Sequence, residues 1–173
     1  MHRRTPLALI ATALLFLVLA LPAGDAVGQQ TAKINKTQLV GSWTLVSNTG
    51  ANQSPTAKTF GPNDGVATFE ANGRFSIQLV RSDLPKFSSN NRDTGTAEEN
   101  KAVVQGSITY FGTYSVNEGD GALTLHIERS SFPNWNGSDQ KRTIALLTAE
   151  ELKYTNPTAS VGGTAELGWK RVK

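Results

Sequence analysis

The stretch Val66-Ala67-Thr68-Phe69-Glu70-Ala71-Asn72-Gly73-Arg74-Phe75-Ser76-Ile77-Gln78-Leu79-Val80-Arg81 decides the fold. On both sides of Asn72-Gly73, apolar and polar residues alternate with a period of two, the spacing at which a half-buried strand sends side chains to opposite faces. Asn-Gly between two such runs is a strong hairpin signal, because both central residues of a type I′ turn need positive φ. Two antiparallel strands are therefore expected here, Val66 to Ala71 and Arg74 to Ser82. Outward from this hairpin the same period returns in Leu39 to Ser47, Ser107 to Asn117, Ala122 to Ser130, Lys141 to Thr148, Leu152 to Asn156 and Ala165 to Val172. Glu118-Gly119-Asp120-Gly121 closes a second hairpin and Ala149-Glu150-Glu151 a third.

One segment breaks the rhythm. From Thr94 to Gln105, Thr96 is followed by Glu98 and Glu99 and then by Ala102, Val103 and Val104, a helix start with acidic residues in its first turn. A short helix is expected there, preceded by a loop from Leu84 to Asp93 and stopped by Gly106. Eight short strands joined mostly by hairpins, with one short helix, predict an all-β chain: a small antiparallel up-and-down β-barrel, whose closure removes exposed strand edges.

With 173 residues, 38% hydrophobic and 18% charged, the chain has the composition of one globular domain. The absence of cysteine excludes disulfides, thiol nucleophiles, iron–sulfur clusters and thiolate zinc sites. Residues 1–28 join a basic start (His2, Arg3, Arg4) to an apolar run from Leu7 to Leu21, then Pro22 and small residues, the three-part pattern of a secretory signal peptide. The run is shorter than the roughly 20 residues a spanning helix needs, so no stable membrane anchor is expected after cleavage near Ala26 to Gly28. The formal charge of +3 falls to +2 once that leader is removed, too little for a nucleic-acid footprint. The organisation expected is a leader over 1–28, a flexible polar lead-in over 29–38 and a barrel domain over 39–173, with the mature protein periplasmic or secreted.

A resemblance emerges from several segments in one register. Leu39-Val40-Gly41-Ser42-Trp43-Thr44-Leu45-Val46-Ser47, Phe60-Gly61-Pro62 and Gly73 to Arg81 open the match. Tyr110-Phe111-Gly112-Thr113-Tyr114 continues it. Ser131-Phe132-Pro133-Asn134-Trp135-Asn136-Gly137 with Gln140 and Arg142, then Leu167-Gly168-Trp169-Lys170-Arg171, complete it. Together they resemble the bacterial and fungal lipocalin-like domain family. The resemblance implies a small up-and-down barrel whose interior holds one small ligand. It also places His126 at the position of a family histidine motif, although this chain carries Leu125-His126 where family members carry paired histidines.

The residues themselves leave several readings open. Apart from His2 in the leader, His126 is the sole histidine, so a histidine-based metal site cannot be assembled within one chain, and no metal or cofactor is expected. Leu123, Leu125 and Ile127 share one face of the fifth strand, while Thr124, His126 and Glu128 share the other. His126 therefore lies either on a solvated wall or, as the resemblance favours, in a polar barrel centre where neighbours tune its protonation. In the third strand, Gln78 is either a surface glutamine or an interior donor and acceptor, and Arg81 is either a mouth-lining cation or a structural charge. The hairpin of the fourth and fifth strands brings Tyr114 towards His126, so that Gln78, Tyr114 and His126 are expected as a central polar trio.

Trp43, Phe69, Phe75, Tyr110, Phe111, Tyr114, Phe132, Trp135 and Trp169 are expected mainly to fill the core, with Tyr110, Tyr114 and Trp135 also facing a ligand. The loop Phe132 to Gly137 either plugs one end or walls the entrance. Trp43, Trp169 and Arg171 resemble the lipocalin arrangement in which an arginine covers the first-strand tryptophan, a structural closure. Lys141-Arg142 and Lys170-Arg171 read most simply as solvated strand ends. Three functions compete: an exported binder of a small, partly apolar molecule, a barrel enzyme performing acid–base isomerisation or hydration through His126, and an interaction module with a filled core. Its partner would be that small molecule, not a nucleic acid.

Overall fold

The computed structural model of the protein describes residues 34–50 and 59–173; the expected leader, and the lead-in as far as residue 33, lie outside the described residues. Eight strands form a closed barrel: β1 (Gly41–Gly50), β2 (Gly65–Phe69), β3 (Arg74–Val80), β4 (Ser107–Asn117), β5 (Ala122–Ser130), β6 (Asp139–Leu147), β7 (Glu151–Asn156) and β8 (Ala165–Arg171). Each strand pairs antiparallel with its chain neighbours, and β8 pairs antiparallel with β1 to complete the ring. The end of the polar lead-in is ordered as a one-turn helix, α1 (Lys36–Leu39), because Asn35 caps it and Leu39 is buried. Leu39 was expected in the first strand and instead closes this turn.

The second helix, α2 (Ala97–Gly106), lies in the β3–β4 connection and is fixed by reciprocal capping. Thr96 Oγ1 accepts from the Glu99 amide, and the Glu99 carboxylate accepts from the Thr96 amide. The same carboxylate accepts from the Ser88 amide, so these backbone bonds hold its pKa below the ordinary value and tie the preceding loop to the helix.

The hairpin at Asn72-Gly73 forms with a different turn from the one expected. Gly73 has φ +87°, whereas Asn72 is not among the described residues with positive φ. The Gly73 amide donates to the Glu70 carbonyl at 3.0 Å, and Asn72 Oδ1 accepts from the Arg74 amide at 2.9 Å. Asn72 spends its side chain on this local bond, leaving the left-handed conformation to glycine alone; the connection is a turn over Glu70 to Gly73 ending in a left-handed residue, not type I′.

Because consecutive strands are antiparallel, the connections alternate between two ends. The β2–β3, β4–β5 and β6–β7 turns define one end, the base, where the α1 amide of Lys36 donates to Glu118. The β3–β4, β5–β6 and β7–β8 connections define the other, the mouth. Inward residues alternate with outward ones along each strand, burying Trp43, Phe69, Ile77, Leu125, Leu152 and Trp169 among others. Phe111 departs from its expected core role: Tyr110 and Gly112 take the inward positions beside it, and the ring faces out, 43% exposed. The register of β4 on β5 shifts between Phe111 and Gly112, where a side chain on Gly112 would collide with the backbone carbonyl of His126.

Candidate functional site

The expected central trio does not assemble. In β5, Leu123, Leu125 and Ile127 are fully buried, so the period of two sends His126 to the outer wall, where its side chain is 51% exposed and Nδ1 lies 2.7 Å from Asp139 Oδ1. Tyr114 pairs with Leu125 and His126 with Thr113. Residues equally far from an antiparallel turn oppose each other, and Tyr114 is four positions from the turn where His126 is five, so the two fall on opposite faces. Gln78 lies outward between the buried Ile77 and Leu79. Arg81 sits beyond the end of β3, with Nε donating to Asp83 at 2.8 Å. Tyr114 points inward, but at the base. Its hydroxyl donates to the Glu70 carbonyl at 2.9 Å and its ring meets Phe69 edge-on at 5.2 Å.

The polar centre of the interior lies instead in the mouth half, around Arg142 of β6. Thr143 and Lys141 face out, so Arg142 shares the inward face of Ile144 and is 1% exposed. Its register partner on β5 is the buried Leu123. Nη1 donates to the Lys141 carbonyl at 2.9 Å, while Nε and Nη2 are buried without a hydrogen-bond partner. The guanidinium lies 6.0 Å from the Trp135 ring, and Trp135 meets Tyr110 edge-on at 5.3 Å.

Tyr154 of β7 belongs to the same cluster: it stacks on Trp169 at 6.2 Å, and its hydroxyl and the Trp169 indole N–H are both buried and unpartnered. Burial raises the pKa of Tyr110 and Tyr154 above the ordinary tyrosine value, with the positive charge of Arg142 acting against the rise at both. Both therefore stay neutral hydroxyls at physiological pH.

Trp135 reaches this cluster from the β5–β6 connection, where Phe132 and Pro133 open a 3₁₀ turn over Pro133–Trp135. The Phe132 ring meets Trp135 at 5.7 Å, and the indole is almost wholly buried, so the segment folds back over the mouth half. A ladder of aromatic rings then descends from Phe132 through Trp135, Tyr110, Phe75 and Phe69 to Tyr114. It gives the interior an apolar wall running from mouth to base.

The base is organised differently. The Arg171 guanidinium lies 4.1 Å from the Trp43 ring centroid, and its three nitrogens donate to the carbonyls of Ala149, Val40 and Gln38. Trp43 Nε1 donates to the Leu39 carbonyl at 2.9 Å. Gly41, at φ +132°, leaves the space that Arg171 Nη1 occupies; any side chain there would meet it. Trp169, two residues before Arg171 in β8, has its face against Tyr154.

Arg142 and Tyr154 are the interior residues that reading the sequence missed. The expectation that Lys141-Arg142 is a solvated strand end is corrected, because β6 starts at Asp139, two residues earlier than predicted, which places Arg142 well inside the strand. The signal was present in the alternation, since Gln140, Arg142 and Ile144 share one phase and Ile144 must face in.

Compared by sequence with curated proteins, the chain finds no match. Among solved structures it is similar to the bovine odorant-binding protein in complex with its natural ligand, at 16% identity and a TM-score of 0.38, over 84% of this chain and 78% of that one. The same bovine protein in complex with a selenium-containing odorant matches at 15% identity and a TM-score of 0.38, over 84% of this chain and 77% of the other. The model of the lipocalin-like domain matches residues 40–172. That span takes in all eight strands in full, and the chain belongs to the lipocalin-like domain family.

Proposed function

We propose that the protein is exported through the leader at residues 1–28 and that its barrel binds one small, partly apolar molecule in the mouth half of the interior. The observation that carries this reading is the set of buried polar atoms without partners, Arg142 Nε and Nη2, Tyr154 Oη and Trp169 Nε1, gathered beside an aromatic ladder. Buried polar groups are normally paired, and leaving one unpaired costs about 1 to 3 kcal/mol. A cluster of them on an apolar wall is the composition of a ligand pocket, where a few polar groups fix orientation and the rest exclude water. The Phe132 to Trp135 segment, which covers this part of the interior, lies in a connection and not in the barrel wall.

A second reading, a module with a permanently filled core, draws support from the near-complete burial of the interior side chains. The enzyme reading through His126 has no such support, because that ring pairs with Asp139 on the outer wall. Native mass spectrometry of the protein recovered from its exported fraction separates the first two. A retained small molecule, on a chain whose N-terminus lies between Val27 and Gln29, supports the proposal. An empty protein whose tryptophan fluorescence ignores every apolar alcohol and acid offered to it overturns the binding reading. A chain retaining Met1 in a membrane pellet overturns export.

A further inference from the structure

We infer that the group recognised by this interior is a carboxylate, held on the Nε–Nη2 edge of Arg142. The inference rests on the interior-binding reading above and adds the chemical class of the ligand. A guanidinium carries five N–H donors in a fixed plane, and the Nε–H lies alongside one Nη2–H so that the pair forms a fork matching the two oxygens of a carboxylate. In Arg142 the nitrogen outside this fork, Nη1, is already used by the Lys141 carbonyl. The two nitrogens that form the fork are the two that lack partners.

Among the described residues the charge has no buried counter-charge either. Among the described residues the one buried carboxylate is Asp64, and its oxygens accept from the amides of Gly61 and Ser82. A cation removed from water without a counter-charge is costly, and that cost is relieved when an anion arrives. The anion is one of low charge and planar shape, because Arg142 is the sole buried cation among the described residues. A phosphate monoester would bring a second charge and a third oxygen with no second cation to meet them.

The Tyr154 hydroxyl, buried and unpartnered, supplies a further donor. Tyr110, a rung of the aromatic ladder, brings its hydroxyl close to the Arg142 side chain. The remainder of the ligand therefore lies against rings: Trp135, Tyr110 and Phe132. The ligand class is an acid with an apolar tail or ring.

The test uses decanoate, decanol and decyl phosphate, which share one tail and differ in the head. Each is titrated into the mature protein and into Arg142→Met and Arg142→Lys, followed by tryptophan fluorescence and native mass spectrometry, with circular dichroism to verify folding. Decanoate should bind wild type at least about tenfold more tightly than decanol or decyl phosphate. Arg142→Met should abolish that preference, and Arg142→Lys should restore only part of it, since lysine keeps the charge without the fork.

If decanol binds wild type as well as decanoate does, or if the preference survives Arg142→Met, the carboxylate inference fails while interior binding stands. Tighter binding of decyl phosphate overturns it equally. If none of the three binds wild type, interior binding itself fails and takes the inference with it. The head-group comparison on wild type needs no variant, so misfolding of Arg142→Met would not remove the test.

Discussion

Two arginines face tryptophans in this barrel, one at each end, and they differ in what their nitrogens touch. At the base, Arg171 lies over Trp43 and donates from all three nitrogens to backbone carbonyls of α1, of the residue before β1 and of the β6–β7 turn. Near the mouth, Arg142 is the more deeply buried, yet it makes one hydrogen bond, to the carbonyl of its own neighbour. Burial and an aromatic partner are common to both, so neither separates a structural arginine from one held for a ligand. The separation comes from accounting for every donor. Arg171 ties three chain segments together at the point where the barrel closes, and Arg142 holds an edge of its guanidinium open at a cost the fold does not recover.

The sharpest way to break this contrast is through the tryptophans. Trp43→Ala should destabilise the protein by about 3 to 5 kcal/mol in urea denaturation, because it removes a fully buried indole from strand-walled space that cannot collapse. Trp135→Ala should cost about half of that or less, since its 3₁₀ turn can settle into the vacated volume. Equal losses would mean that the mouth segment is as integral to the core as the base.

Next in size, Arg171→Met should cost about 2 to 3 kcal/mol by leaving the Val40 and Gln38 carbonyls unpaired and by uncovering Trp43. Arg142→Met should move stability the opposite way, leaving it unchanged or raising it by about 1 kcal/mol, because an unpaired buried charge is replaced by an apolar chain of similar length. The sign is the informative part. A loss at Arg142 comparable to that at Arg171, measured in the same denaturation series without added ligand, would show that Arg142 is structural and would remove the ground for a ligand at its free edge.

How far the sequence carried the fold, and where it stopped, follows from the same geometry. Hairpin turns and a period of two are local properties, so the strands at Ser107–Asn117 and Ala122–Ser130, the capping at Thr96 and the closed eight-stranded ring were all legible. The site depends on phase and register, where an error of one residue sends a side chain to the other wall. The family position alone points His126 inward, whereas its alternation with Leu125 and Ile127, both buried, fixes it outside. For Arg142, the charged pair Lys141-Arg142 suggests a strand end, and only the alternation with Ile144 places it inside. Tyr154 and Trp169 meet across two strands, a contact that neither local sequence announces.

The smallest effect expected near neutral pH lies with the three tyrosines, and it grows only in alkali. Tyr110, Tyr114 and Tyr154 all have pKa values raised above the ordinary 10.0 by burial. The folded state therefore keeps protons that the unfolded chain releases above about pH 10. Stability from this source is fully present below that pH and is lost as pH climbs through the raised folded values, with a limiting slope of about 1.4 kcal/mol per pH unit for each tyrosine. The two ends of the barrel separate here as well: Arg142 acts against the rise at Tyr110 and Tyr154, whereas for Tyr114 burial alone is at work. Arg142→Met should therefore push the two mouth tyrosines higher and leave the base tyrosine where it was. Tyrosinate absorbance followed alongside circular dichroism reads both statements. Ionisation of the mouth tyrosines should coincide with unfolding, and in Arg142→Met their titration should move further into alkali. Mouth tyrosines that ionise near pH 10 with the barrel intact would place them in contact with water, and the dry, charge-bearing interior on which the comparison rests would be lost.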